Sequence, residues 1–119
     1  MKTHKELKEE YKRRKIPMGI YQVKNISTGK ILIGSSTNLD GIFNRIRFSL
    51  NYGSHVNKEL QNDWNKLGEE HFKFEVLDKL EPKEGEEINY KEELVVLEQL
   101  WLEKIKPYNE KGYNKPPSR

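Results

Sequence analysis

Residues 18 to 36, MGIYQVKNISTGKILIGSS, constrain the fold more than any other stretch of this chain. Two short β-prone runs, Ile20-Tyr21-Gln22-Val23 and Ile31-Leu32-Ile33, flank Asn25-Ile26-Ser27-Thr28-Gly29, a cluster of turn formers in which Gly29 can take positive φ. The pattern predicts a β-hairpin. Side chains alternate along a strand, which puts Tyr21 and Val23 on one face and Ile20 and Gln22 on the other.

The rest of the chain supplies elements to pack on that hairpin. Asn38-Leu39-Asp40 opens a helix through about Leu50, capped by Asn38, with Leu39, Ile42, Phe43, Ile46 and Leu50 at helical spacing and Arg45 and Arg47 off that stripe. A second helix is expected from Ser54 or His55 to Leu67, buried along Leu60, Trp64 and Leu67 and ended by Gly68. His71 to Leu80 alternates apolar and polar, a half-buried third strand with Phe72, Phe74 and Val76 on one face. A long helix follows over roughly 90–106, closed by Pro107. Ahead of the hairpin, residues 3 to 15, THKELKEEYKRRK, read as a charged helix with a Thr3/Glu6 capping box, a thin apolar edge of Leu7 and Tyr11, and the cluster Lys12-Arg13-Arg14-Lys15 at its end.

Within the long helix, Glu98 stands out. At about 100° per residue it falls inside the stripe made by Leu94, Leu102 and Ile105, with Trp101 beside it. A carboxylate there is costly unless a cation meets it, such as an arginine or lysine at the stripe's edge.

Charge narrows the partners. The 119 residues carry a net +3, unevenly placed: residues 1 to 17 hold seven Lys or Arg against three Glu, and residues 81 to 98 hold seven Glu against two Lys. A mild basic bias suits a polyanion. No cysteine is present, which excludes disulfides and thiolate zinc sites, and His4, His55 and His71 are too scattered for a structural metal site. With no membrane-spanning run and no signal-peptide pattern, a cytoplasmic protein without membrane partners is the expectation.

The tripeptides Gly19-Ile20-Tyr21 and Leu32-Ile33-Gly34, with residues 22 to 31 between them, resemble the two-strand signature of the GIY-YIG nuclease family, with leucine in place of the second tyrosine. The similarity runs on through Ser35-Ser36-Thr37-Asn38-Leu39, the segment around Glu98 and Trp101, and Gly112-Tyr113-Asn114. The resemblance implies an α/β (α+β) fold: a small, mainly antiparallel three-stranded sheet flanked by helices over residues 18–115, preceded by a basic N-terminal helix over 1–17 and followed by a frayed tail over 116–119. It also implies a metal-dependent endonuclease that hydrolyses phosphodiester bonds in single- or double-stranded DNA with one divalent ion, Mg²⁺ or Mn²⁺, and no small-molecule cofactor. In that role Glu98 holds the ion, and Tyr21 orients or deprotonates the attacking water, for which its phenol must sit below the usual value of about 10, a shift that the nearby metal would supply. As a strand tyrosine, Tyr21 is equally explained as core.

Two family positions are apolar here. A gapless overlay puts Ile42 where the family has an arginine and Ile46 where it has a histidine, while Arg45, three residues on, is nearly one turn away and able to reach the same phosphate. Catalytic candidates are therefore Tyr21, Arg45, Glu98 and His55. Nucleic-acid contacts are expected from Lys12, Arg13, Arg14, Lys15, Arg47 and Asn114, the last equally able to hold the hairpin instead. The alternative function is a GIY-YIG-fold module that binds DNA without cutting it, motivated by Leu32, Ile42 and Ile46.

Overall fold

A computed structural model describes residues 16–81 and 89–117. The expected N-terminal helix with Lys12, Arg13, Arg14 and Lys15, and most of the acidic loop after residue 81, lie outside the described residues.

The hairpin is formed as the pattern dictates, by β1 (Met18–Asn25) and β2 (Ile31–Ser36), paired antiparallel with Tyr21 opposite Gly34 and Val23 opposite Leu32. Gly29 turns the chain at φ 81°, where its N–H donates to Asn25 O, and the Asn25 side chain accepts from the N–H groups of Ser27 and Thr28. β3 (Phe72–Leu80) pairs antiparallel with the other side of β1, giving the order β2-β1-β3. β1 is thus the central strand. Both of its faces are covered, and Ile20 and Val23, which point opposite ways, are each 0% exposed. A register shift between Ile20 and Tyr21, opposite Asp78 and Val76, leaves Leu77 as the extra residue of a bulge.

Two helices cover the Tyr21/Val23 face. α1 (Leu39–Tyr52) starts where expected, the Asn38 side chain accepting from Gly41 N–H at 2.9 Å. α2 runs Lys58–Leu67 and starts later than the sequence suggests, because Asn57 rather than Ser54 or His55 is the cap, accepting from Leu60 N–H at 3.0 Å. Val23, Ile46, Leu50, Leu60, Trp64, Phe72 and Tyr113 form one buried cluster on this side, against which Tyr21, Leu32, Ile42, Leu67 and Phe74 pack. Phe72 and Phe74 therefore face the core as the alternation required. Val76, on the same face, is 41% exposed and is not part of the cluster.

α3 (Tyr90–Ile105) crosses the opposite face. Ile20, Ser35 and Asp78 share that face by register, and α3 reaches both flanking residues: Trp101 Nε1 donates to Asp78 Oδ2 at 3.1 Å, and Glu98 accepts from Ser35. The helix is less one-sided than its stripe suggested. Leu94 is buried, but Val95, Val96 and Leu100 are exposed. After Pro107 the chain turns back along β2, where Tyr113 N–H donates to Ile31 O and the buried Tyr113 hydroxyl donates to Asp63 Oδ2 at 2.7 Å while accepting from Asn25 Nδ2 at 3.0 Å.

Candidate active site

The outer edge of β2 is where the candidate residues meet. An edge strand presents N–H and C=O groups that need partners. Ile33 is served by Asn114, whose Oδ1 accepts from Ile33 N–H at 2.8 Å and whose Nδ2 donates to Ile33 O at 2.9 Å. One strand step on, Ser35 gives both its hydroxyl and its backbone N–H to the Glu98 carboxylate. Both ends of the Asn114 amide thus bond Ile33, which is the hairpin-holding role among the two open to it.

Glu98 is half-buried. Desolvation is the larger influence on its carboxyl and raises the pKa above the ordinary value, while the two hydrogen bonds from Ser35 pull it back. No arginine or lysine neutralises it in the ion pairs seen among the described residues, which join Lys30 to Glu59 and Arg47 to Glu69. A carboxylate held by hydroxyl and amide donors rather than by a cation keeps its charge available to a ligand.

Tyr21 approaches the same edge from the other face of the sheet. Its ring lies across Gly34: a Cβ at residue 34 would stand 2.3 Å from the Tyr21 hydroxyl, so only glycine fits. Phe43 of α1 holds the ring edge-on, with centroids 5.9 Å apart and planes at 87°. Burial, and then the charge of Glu98, push the Tyr21 phenol above 10.0. The sequence reading makes a depressed phenol depend on a nearby metal ion, and the groups of the chain alone push it the other way. With a carboxylate as its charged neighbour, the phenol stays protonated at neutral pH and acts as a hydrogen-bonding group.

Next along β2 and into α1, Ser36, Thr37, Asn38, Gly41, Ile42 and Arg45 line an open hollow of about 310 Å³. Arg45 is exposed and shares this hollow with Ile42, the position at which the family resemblance places an arginine. The one-turn offset between the two residues thus leads to one concavity. Ser36 joins the hollow to Ser35, and through it to Glu98.

The other candidates lie elsewhere. Arg47 is turned to the sheet, its Nε 2.6 Å from Glu69 Oε1 and its guanidinium 4.6 Å from the Phe74 ring centroid. His55 organises the loop between α1 and α2: its backbone N–H donates to Gln61 Oε1 at 3.0 Å, and its Nδ1 accepts from Asn57 N–H at 3.0 Å. An accepting Nδ1 requires the neutral ring with its proton on Nε2. Burial keeps it so by lowering its pKa below 6.5.

Sequence reasoning missed Ser35 as the group that holds Glu98, and Asn25, Asp63 and Tyr113 as a polar link between hairpin, α2 and tail. Alternation alone places Ser35 on the Ile20 face. Nothing in a single sequence pairs it with a residue 63 positions away.

No family model matches the chain. Over 99 residues, 81% of its length, the chain is 34% identical to intron-associated endonuclease 1 of Enterobacteria phage T4, and the match spans 36% of that protein. Among solved structures it resembles a mutant form of the catalytic domain of intron endonuclease I-TevI, at 26% identity and a TM-score of 0.68, covering 82% of this chain and 92% of that one. It also resembles the catalytic domain of homing endonuclease I-TevI, at 25% identity and a TM-score of 0.69, covering 84% and 99%.

Proposed function

Since this chain belongs to the GIY-YIG nuclease family, we propose that it is a DNA endonuclease that hydrolyses phosphodiester bonds at the outer edge of β2 with a divalent cation. One observation carries this reading: a half-buried carboxylate, Glu98, is held by Ser35 without a cation among the described residues, beside a shielded phenol and an open hollow with an arginine on its wall.

The donor set fits Mg²⁺ or Mn²⁺. Among the described residues there is no cluster of three or more carboxylates and histidines, as a metal held wholly by protein would need. Mg²⁺ instead commonly binds one or two carboxylates and completes its shell with water and substrate phosphate, which one Glu98 supports. Such an ion supplies charge neutralisation at the phosphate and at the leaving oxygen. The chain's own part is positional. Glu98 anchors the cation. Tyr21, protonated and fixed over Gly34, orients water by hydrogen bonding, and Arg45 binds a non-bridging phosphate oxygen from the hollow.

The test is cleavage of plasmid and of single-stranded DNA with Mg²⁺, with Mn²⁺ and with chelator. The wild type is expected to cut only with metal, and Glu98→Ala to lose at least about a hundredfold in rate, because the ion's electrostatic stabilisation goes with its ligand. Equal cutting by the mutant, or cutting in chelator, removes Glu98 and its ion from the mechanism.

A second reading rests on a specific observation. Leu32, Ile42 and Ile46, which stand where the resemblance expects a tyrosine, an arginine and a histidine, all pack into or against the hydrophobic cluster. Three polar groups of the family site are here replaced by core. A module that binds DNA without turnover follows from this, and its signature is salt-sensitive binding with no products under any metal.

A further inference from the structure

The outer face of α3 carries a groove of about 480 Å³ lined by Leu80, Val96, Leu97 and Leu100, with Glu92 and Glu93 on its rim. Val96 is 61% exposed and Leu100 57%. Such an apolar strip on a chain that is 34% charged marks a docking surface. Its acidic rim selects the occupant. A second copy offers the same apolar strip and the same two glutamates, with no basic residue in the groove's own lining to meet them, and residues 82–88 carry Glu84, Glu86 and Glu87 with only Ile88 to fill the groove. A basic segment with a narrow apolar edge meets both demands.

We propose that residues 1–15 of this same chain dock in this groove, with Leu7 and Tyr11 as the apolar anchors and their lysines and arginines facing Glu92 and Glu93. The composition matches: seven Lys or Arg within residues 1–17, and two large apolar side chains spaced i, i+4, as a helical edge requires. The geometry matches too. Met18 is the β-partner of Leu80, which itself lines the groove, so Lys15 is three residues from a position directly beside it. At no more than about 3.5 Å per residue, that leaves the segment starting within roughly 10 Å of the groove. Tethering at such range gives a millimolar-scale effective concentration, enough for a modest patch to hold its ligand. Docked there, the basic cluster is an intramolecular partner of α3, and DNA must compete with the acidic rim for it.

The absence of native cysteine permits a direct test in the full chain. The pair Lys8→Cys with Gln99→Cys keeps both apolar anchors and the four apolar residues of the groove, and puts one thiol mid-segment and the other beside Val96. The pair Lys8→Cys with Tyr52→Cys places the second thiol on α1, across the sheet. Under mild oxidant the first pair is expected to close an intrachain disulfide at least about tenfold faster than the second, and Leu7→Ser with Tyr11→Ser in the first pair should erase that advantage. Equal rates for the two pairs, or disulfides between molecules in place of intrachain ones, overturn the proposal, the latter identifying a second copy as the occupant. Should the cysteine variants fail to fold, the Val96 and Leu100 methyl resonances of the otherwise native chain decide the matter. They must move when Leu7 and Tyr11 become serine, and unmoved signals refute the docking.

Discussion

Residue 34 illustrates how closely the site depends on one atom's absence. Its backbone is not in the left-handed region, so Gly34→Ala strains nothing locally, but the new methyl would stand 2.3 Å from the Tyr21 hydroxyl. The ring must move, at an overpacking cost of about 1–3 kcal/mol measurable by urea denaturation. Cleavage by such a variant is expected to fall by roughly a hundredfold, because a displacement of about 1 Å in a positioned group costs that much. Retained activity would mean that Tyr21 is packing alone. His55 offers a pH test at the same scale. Its folded pKa is lowered, so the unfolded chain takes up a proton first as pH falls. Its contribution to stability is complete above pH 6.5 and is lost as the pH drops from there through the lower folded value. His55→Asn, which retains an acceptor for Asn57 N–H, should flatten the stability curve through that window in thermal melts between pH 7 and 5. An unchanged curve would assign the acid sensitivity to another group.

Among the elements, β2 is the one whose exposed edge is managed side chain by side chain: Tyr113 N–H at Ile31, the Asn114 amide at Ile33, Glu98 at Ser35. Removing the middle partner by Asn114→Ala leaves a donor and an acceptor of Ile33 without protein partners, at a cost of about 1–3 kcal/mol. Hydrogen exchange at Ile33 N–H should accelerate accordingly, while the β1–β3 ladder stays protected. Exchange unchanged at Ile33 would show that water or a neighbour satisfies that edge equally well. α1 shows the reverse economy. Its apolar stripe and Asn38 cap are both evident in sequence, and the helix starts and ends within two residues of the expectation.

At the level of the whole molecule, hairpin, α2 and tail are linked by a chain of hydrogen bonds from the buried Asn25 through the Tyr113 hydroxyl to the half-buried Asp63. Burial and the Asp63 partner raise the Tyr113 phenol far above its ordinary value, so it donates to Asp63 at all physiological pH. Tyr113→Phe strands the amide of Asn25, which is 0% exposed, and is expected to cost about 1–3 kcal/mol. A double-mutant cycle with Asp63→Ala should show coupling of at least about 0.5 kcal/mol. Additive effects would mean that the two groups act independently despite their 2.7 Å contact.

What the sequence by itself determined is the set of elements and their apolar faces, because periodicity and capping are local: Gly29 at the turn, Asn38 before α1, the alternation of Phe72 and Phe74. The position of Glu98 inside an apolar stripe was local information too. Tertiary structure alone decided which partners each polar group of the site meets. Whether Glu98 meets a lysine or Ser35, whether Tyr21 is raised or lowered, and whether Asn114 serves a phosphate or the hairpin depend on groups brought together from distant parts of the chain. Hydrogen bonds and charges act through space over a few ångströms, and a pattern read along the backbone does not contain those distances.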